Sequence, residues 1–251
     1  MEKYILAIDQ STTGTKAVLF DSKLNFIKRA TEYHTQYYPK PGWVEHDPKE
    51  ILKKTLLACK NLLKEINPQH ITAISITNQR ETIVMWDKQG EPLYNAIVWQ
   101  CQRGKGMCER LKEQGYEKII KERTGLLLDP YFSASKISWV LENVYGLKHI
   151  AQNIDVFFGT IDSWLIYNLC ENNPHLTDYS NASRTMLLNI HSLKWDDEIL
   201  DLFGIPLKIM PKLLPSDEIF GYTNLGGLLP RKVPIIGVMG DSSAALYGQM
   251  G

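Results

Sequence analysis

Apolar residues come in short runs separated by polar, glycine- or proline-bearing turns. Residues 4–8 form one such run and 17–20 another, with the small polar stretch 11–15 between them. That pattern predicts a strand, a tight turn and a second strand, a hairpin that opens the chain. A third strand is expected over 26–30. Pro48 then opens an amphipathic helix to about residue 66, with Asp47 as its cap and proline at the first helical position. Apolar runs at 71–77, 82–86 and 96–99 predict three more strands. Residues 104–121 read mainly as helix, interrupted near Gly115, and residues 133–143 as another helix. A short strand at 155–158 leads into a helix at 161–169. Finally 233–239 is an apolar strand and 242–249 begins a helix. A hairpin followed by alternating strands and helices predicts an α/β domain with a mixed sheet. No internal repeat, low-complexity tract or linker is visible. The stop at Gly251, just after a helix has been launched from a core strand, reads as a cut at the carboxyl end, with Met1 as a native start.

Composition narrows the class. Lys plus Arg and Asp plus Glu both number 28 in 251 residues, so neither sign is in excess to hold nucleic acid or a charged membrane surface. No apolar run approaches the roughly 20 residues of a membrane helix, and the first residues carry no signal peptide, so a cytoplasmic protein is expected. Cys59, Cys101, Cys108 and Cys170 lack paired metal-ligand spacing and read as reduced thiols. Asn181-Ala182-Ser183 matches a glycosylation acceptor by chance.

Three groups carry candidate chemistry. In Asp9-Gln10-Ser11-Thr12-Thr13-Gly14-Thr15-Lys16 an acidic residue ends a strand and a hydroxyl-rich turn with a glycine follows. Such a turn can aim N–H groups and hydroxyls at phosphate oxygens, Asp9 can hold Mg²⁺ through water, and Lys16 adds positive charge. The same stretch reads equally as a Thr-rich hairpin turn. No G-x-x-x-x-G-K-[ST] phosphate loop occurs. In Gly240-Asp241-Ser242-Ser243 a carboxylate projects from a strand end, where α/β clefts bind ligands. It can act as a base toward a hydroxyl attacking phosphorus, or as the N-cap of the following helix. At other strand ends lie Arg80-Glu81, which can donate to and accept from neighbouring hydroxyls, and Trp99 and Tyr131, which can wall a carbon chain. Taken singly, Trp99 also fits a core position and Arg80–Glu81 a surface pair.

Together, residues 9–16, the stretch Tyr131-Phe132-Ser133-Ala134-Ser135-Lys136-Ile137-Ser138-Trp139 and Gly240-Asp241 resemble the FGGY family of carbohydrate kinases. Segments 38–48, 76–82, 94–101, 128–133 and 177–187 are similar to its glycerol-phosphorylating members, so the resemblance spans the whole chain. It implies a ribonuclease-H-like, actin-like ATPase fold, a mixed central sheet flanked by helices. It also implies that residues 1–251 are the amino-terminal, substrate-binding domain, with the carboxyl-terminal nucleotide-binding domain absent and the half-length chain inactive alone. The implied reaction is ATP- and Mg²⁺-dependent phosphorylation of a terminal hydroxyl of glycerol, and the implied state of the full-length protein is a homo-oligomer. By the same resemblance Asp241 is the base, and Arg80, Glu81, Trp99 and Tyr131 line the polyol site. Thr12, Thr13, Gly14 and Lys16 face the nucleotide phosphates, and Asp9 lies near the metal. Ser242 stands beside the polyol where those relatives usually have glutamine. That leaves another small polyol or keto-polyol, such as erythritol or dihydroxyacetone, as the alternative substrate. The 226–231 loop departs from the loop linked to sugar-bisphosphate feedback in some relatives, so that regulation is not expected. A non-catalytic, actin-like nucleotide binder is the rival of another class, and it has no need of the base at Asp241.

Overall fold

The computed structural model describes residues 2–153 and 156–250. Its centre is a six-stranded sheet in the order Gly221–Thr223, Val233–Gly240, Ile71–Asn78, Tyr4–Gln10, Gly14–Asp21, Phe26–Tyr33. The middle three strands are parallel to one another, and the outer strands pair antiparallel, so the sheet is mixed as expected. Alternation sets which side faces the core: Leu6, Ile8 and Leu19 are fully buried, whereas Ile5, Ala7 and Asp9 are half-buried. Helix Pro48–Leu63 covers the buried face. Ile51, Thr55, Ala58, Cys59 and Leu62 form its inward stripe at the spacing of a single helical face. Asp47 caps it, accepting from Lys49 N at 2.8 Å, and helix Ile161–Leu169 lies beside it in the same core.

A second, four-stranded sheet runs Glu45–His46, Ala96–Ile97, Ile83–Asp87, Val156–Thr160, antiparallel throughout. Its strand Ile83–Asp87 is apolar on both sides because it separates two cores. Val84 and Trp86 join the first core, and Ile83 and Met85 join a second one with Ile97, Phe158, Ile137 and Leu141. Helices Lys105–Glu113, Glu117–Thr124 and Ser133–Asn143 close that second core from outside.

Several boundaries moved. The opening strands run on to Gln10 and from Gly14 to Asp21, and the third reaches Tyr33. The helix expected to residue 66 ends at Leu63. The interruption expected near Gly115 is present, since the 104–121 region forms two helices and Gly115 between them takes φ 85°, a conformation glycine adopts without steric cost. The strand expected over 96–99 pairs only at Ala96–Ile97, because Trp99 N turns instead to Thr82 Oγ1. Asp155, the expected start of one strand, lies outside the described residues; that strand is observed from Val156 to Thr160. The last helix is Asp241–Gly248, and Gly240 rather than Asp241 occupies its N-cap. Helices Leu147–Asn153, Tyr179–Ala182 and Asp197–Leu202 had no sequence expectation. All four cysteines are free and buried. No helix among the described residues is long and apolar enough to cross a membrane.

Between the layers sits a buried acid. Asp162 accepts from Thr177 Oγ1 at 2.7 Å and from Thr160 Oγ1. Burial, reinforced by nearby Asp178, pushes its carboxyl up to about 7. An unfolded aspartate titrates near about 4, so between those values the folded chain holds a proton that the unfolded chain has lost. Its contribution to stability is therefore present at low pH and lost as pH rises through that window. Asp162→Asn is expected to flatten the fall in urea midpoint between pH 5 and pH 7.5.

Candidate functional site

The sheet register places Gln10, Asn78 and Gly240 side by side at the carboxyl ends of the three parallel strands. Whatever follows them converges at one sheet edge, where open α/β sheets bind ligands. Ser11–Thr13 follow the first, Gln79–Glu81 the second and Asp241 the third. Thr12, Gln79, Arg80, Glu81, Asp241, Trp99 and Tyr131 line a pocket of about 100 Å³ there.

The second strand end turns sharply. Thr82 N donates to Arg80 O at 2.7 Å across a three-residue turn, and Glu81 at its centre takes φ 62°. That conformation is strained for a residue with a side chain, and its effect is to separate two adjacent side chains. Arg80 swings to the third strand end, where Nε donates to Asp241 Oδ1 at 2.9 Å and Nη2 to Ser242 Oγ at 2.7 Å. Glu81 swings inward, is 1% exposed, and accepts from Arg184 Nε at 2.6 Å. Arg80 and Glu81 are thus not a surface pair; each is bonded elsewhere. Burial raises the Glu81 carboxyl above its usual range, against the pull of Arg184.

The aromatic wall is fixed at both ends. Trp99 N donates to Thr82 Oγ1 at 3.1 Å and Trp99 Nε1 to Thr12 Oγ1 at 3.0 Å. Its ring lies 5.5 Å from that of Tyr131, edge to face. Thr82 in turn donates to Gln79 Oε1 at 2.9 Å, and Gln79 Nε2 to Gln10 Oε1 at 3.0 Å, so the indole is tied to two strand ends. The Tyr131 turn is pinned from beneath. Lys136 reaches back from helix Ser133–Asn143, fully buried, to donate to Pro130 O, Tyr131 O and Phe132 O at 2.6, 2.6 and 3.0 Å.

Of the expected substrate-side residues, Arg80, Glu81, Trp99, Tyr131 and Asp241 come together. Ser242 touches Arg80 but does not line the pocket. Among the expected phosphate-side residues Thr12 lines this same pocket, while Thr13, Gly14, Lys16 and Asp9 do not. Lys16 Nζ instead meets Asp9 Oδ2 at 2.7 Å. Gly14 has a packing reason of its own, since a Cβ there would sit 2.5 Å from Glu32 O. Sequence reasoning missed Arg184, Gln79 and Lys136 as site residues. Arg184 follows a four-residue helix with no periodicity to mark it, and Lys136 lay in view inside the Tyr131 stretch but without a reason to turn inward.

A model of the FGGY family of carbohydrate kinases, N-terminal domain, matches residues 4–248. The chain is 60% identical to glycerol kinase 1 of Thermotoga maritima, over 99% of this chain and 51% of that protein. It is 49% identical to a glycerol kinase of Bacillus cereus, over 99% and 51%. Among solved structures it is similar to glycerol kinase of Plasmodium falciparum with ADP, with TM-score 0.94 and 35% identity over 99% of this chain and 50% of that one. It is also similar to gluconate kinase of Lactobacillus acidophilus, with TM-score 0.88 and 25% identity over 98% and 49%. The chain spans about half the length of the curated relatives it matches. With the mixed sheet, the converging strand ends and a family match across almost its whole length, the chain belongs to the FGGY family of carbohydrate kinases, in the region of that family's amino-terminal domain.

Proposed function

We propose that this chain is the substrate-binding half of a kinase that transfers the γ-phosphoryl group of ATP to a terminal hydroxyl of glycerol, giving glycerol 3-phosphate. The nucleotide-binding half is a separate domain of the same protein. One observation carries the reading. A donor, Arg80, an acceptor, Glu81, two aromatic faces and the carboxylate of Asp241 all line one pocket sized for a few heavy atoms. The identity to proteins named glycerol kinase supports the substrate.

In this reading Arg80 and Glu81 hold neighbouring hydroxyls, and Trp99 and Tyr131 exclude water from the carbon chain. Asp241, aimed by Arg80, takes the proton of the attacking hydroxyl. Positioning and charge neutralisation supply most of the acceleration. Thr13, Gly14 and Lys16 border the phosphates from the hairpin turn. No cluster of three His, Cys, Asp or Glu able to enclose a metal occurs among the described residues. Mg²⁺ fits none the less, because it binds through one or two carboxylates, waters and substrate phosphates. Asp9, with Oδ2 engaged by Lys16, is the carboxylate that would hold it through water. The ion, when bound, neutralises phosphate charge.

Ser242 supports a second reading on substrate. Its hydroxyl is taken up by Arg80 Nη2, so it does not reach into the pocket to select a polyol. In the full-length enzyme, kcat/KM for glycerol is expected to exceed that for erythritol and dihydroxyacetone by more than about a hundredfold, roughly 2.7 kcal/mol of transition-state binding. Parity for either competitor would assign the pocket to that substrate instead.

A further inference from the structure

One short segment, residues 178–185, bonds to the strand ends that lead into Asp241 and Arg80, to Glu81, and to the start of the helix that follows Tyr131. Its anchor is Asp178, wholly buried, whose carboxylate receives four hydrogen bonds. Ser180 N and Ser216 Oγ donate to Oδ2 at 2.9 and 2.7 Å, and Asn181 N and Nδ2 donate to Oδ1 at 3.0 and 2.8 Å. From this fixed point Ser180 Oγ accepts from Gly240 N at 2.8 Å, one residue before Asp241. Asn181, also wholly buried, exchanges two amide bonds with Asn78, at 2.9 and 3.1 Å, two residues before Arg80. Further along, Arg184 reaches Glu81, and Thr185 O accepts from Ala134 N at 2.9 Å, at the foot of the Tyr131 wall.

The strand ends at Asn78 and Gly240 are neighbours in the sheet. Ladder pairing fixes their spacing along the sheet, but beyond it each chain is free to turn. Ser180 and Asn181 supply the missing reference, because both hang from one carboxylate. We infer that Ser180 and Asn181 are positioning residues that set where Asp241 stands relative to Arg80 and Glu81, with Asp178 as their common anchor. The inference rests on the functional reading above, in which a hydroxyl held by Arg80 and Glu81 gives its proton to Asp241.

The two residues act on different walls, and that makes them separable. Ser180 touches the Asp241 side alone, so Ser180→Ala in the full-length enzyme is expected to lower kcat about 10- to 100-fold, the cost of misplacing a reacting group by about 1 Å. KM for glycerol should stay within about threefold, since that substitution leaves ground-state contacts intact. Ser180→Thr keeps the acceptor oxygen and should restore kcat to within about threefold of the parent. Asn181→Ala loosens the Asn78 strand end, which leads into Arg80 and Glu81, and should lower kcat and raise KM together. Hydrogen exchange followed by mass spectrometry on the same full-length proteins gives a readout independent of turnover. The peptide containing Gly240 should exchange faster in Ser180→Ala and return to the parent rate in Ser180→Thr. Parent-like kcat and exchange in Ser180→Ala would overturn the assignment. So would a loss in Ser180→Ala that threonine fails to restore, which would mark a packing effect. If the parent itself fails to phosphorylate glycerol, the functional reading falls, and the exchange rates alone then decide whether Ser180 holds the strand end.

Discussion

Asp241→Asn in the full-length enzyme is expected to lower kcat by about 10²- to 10⁴-fold, the range that general-base catalysis supplies, and to leave glycerol affinity within about threefold of the parent. The asymmetry follows from what asparagine keeps. Its amide oxygen can still accept from Arg80 Nε and from Ser242 N, which donate to Asp241 Oδ1 at 2.9 and 2.7 Å. The helix start and the Arg80 rotamer therefore survive, and with them the hydroxyl-binding wall. What is lost is the oxygen that can take a proton. Steady-state kinetics beside calorimetric titration of glycerol would separate the two. Turnover near the parent rate would mean that another group accepts the proton. Asp241→Ala is a poorer test, because it also releases Arg80.

The largest expected effect on stability is at Arg184. Glu81 is 1% exposed, and its carboxylate has Arg184 as its ion-pair partner. Removing one member of a buried pair costs about 3–5 kcal/mol. The lower end applies here, because the Arg184 side chain is itself 28% exposed. Arg184→Met keeps the apolar stem beside Phe132 and Tyr131 and deletes the charge. Burial already raises the Glu81 carboxyl, and losing Arg184 removes the main opposing influence, so the variant should raise it further. A carboxyl whose folded value lies above its unfolded value gives stability at low pH that is lost as pH rises through the folded value. The deficit of Arg184→Met should therefore be smaller at pH 5 than at pH 8 when guanidinium midpoints are compared. Adding Glu81→Gln should recover stability without recovering glycerol binding, because the amide no longer carries the acceptor charge. A single variant as stable as its parent at pH 8 would show that Glu81 is solvated in solution.

How much of this was legible in the sequence depends on distance along the chain. The strands at Tyr4–Gln10, Ile71–Asn78 and Val233–Gly240 announced themselves as apolar runs ending in polar residues, and Asp9, Arg80 and Asp241 stood out because they follow such runs. Helix Ser133–Asn143 was read to its observed ends. Convergence was not legible, because the register that sets Gln10, Asn78 and Gly240 abreast joins residues far apart in sequence. Nor was the parting of Arg80 from Glu81, which depends on one positive φ at a residue type that seldom takes it. Two-residue strands such as Glu45–His46 are shorter than the window over which a period of two can be recognised. The N-cap expectation at Asp241 failed by one position: its backbone is already helical, so its side chain bonds the next residue instead of capping from outside. Residues 178–185 show the limit most clearly. Their hydroxyls and amides follow no helix or strand period, and their meaning lies in partners on other strands.

Gly240 carries a consequence for how such a site can drift. A Cβ at this position would lie 2.6 Å from Arg80 Cδ and 2.7 Å from its Cγ, so the arginine stem occupies the volume that any other residue would claim. Substitutions at 80 and 240 are therefore not independent. A larger residue at 240 evicts the arginine from Asp241, and a shorter residue at 80 opens the space but gives up the guanidinium. Single steps at either position lose the carboxylate's partner, so a lineage could exchange this pair only by crossing a deficit that neither change relieves alone.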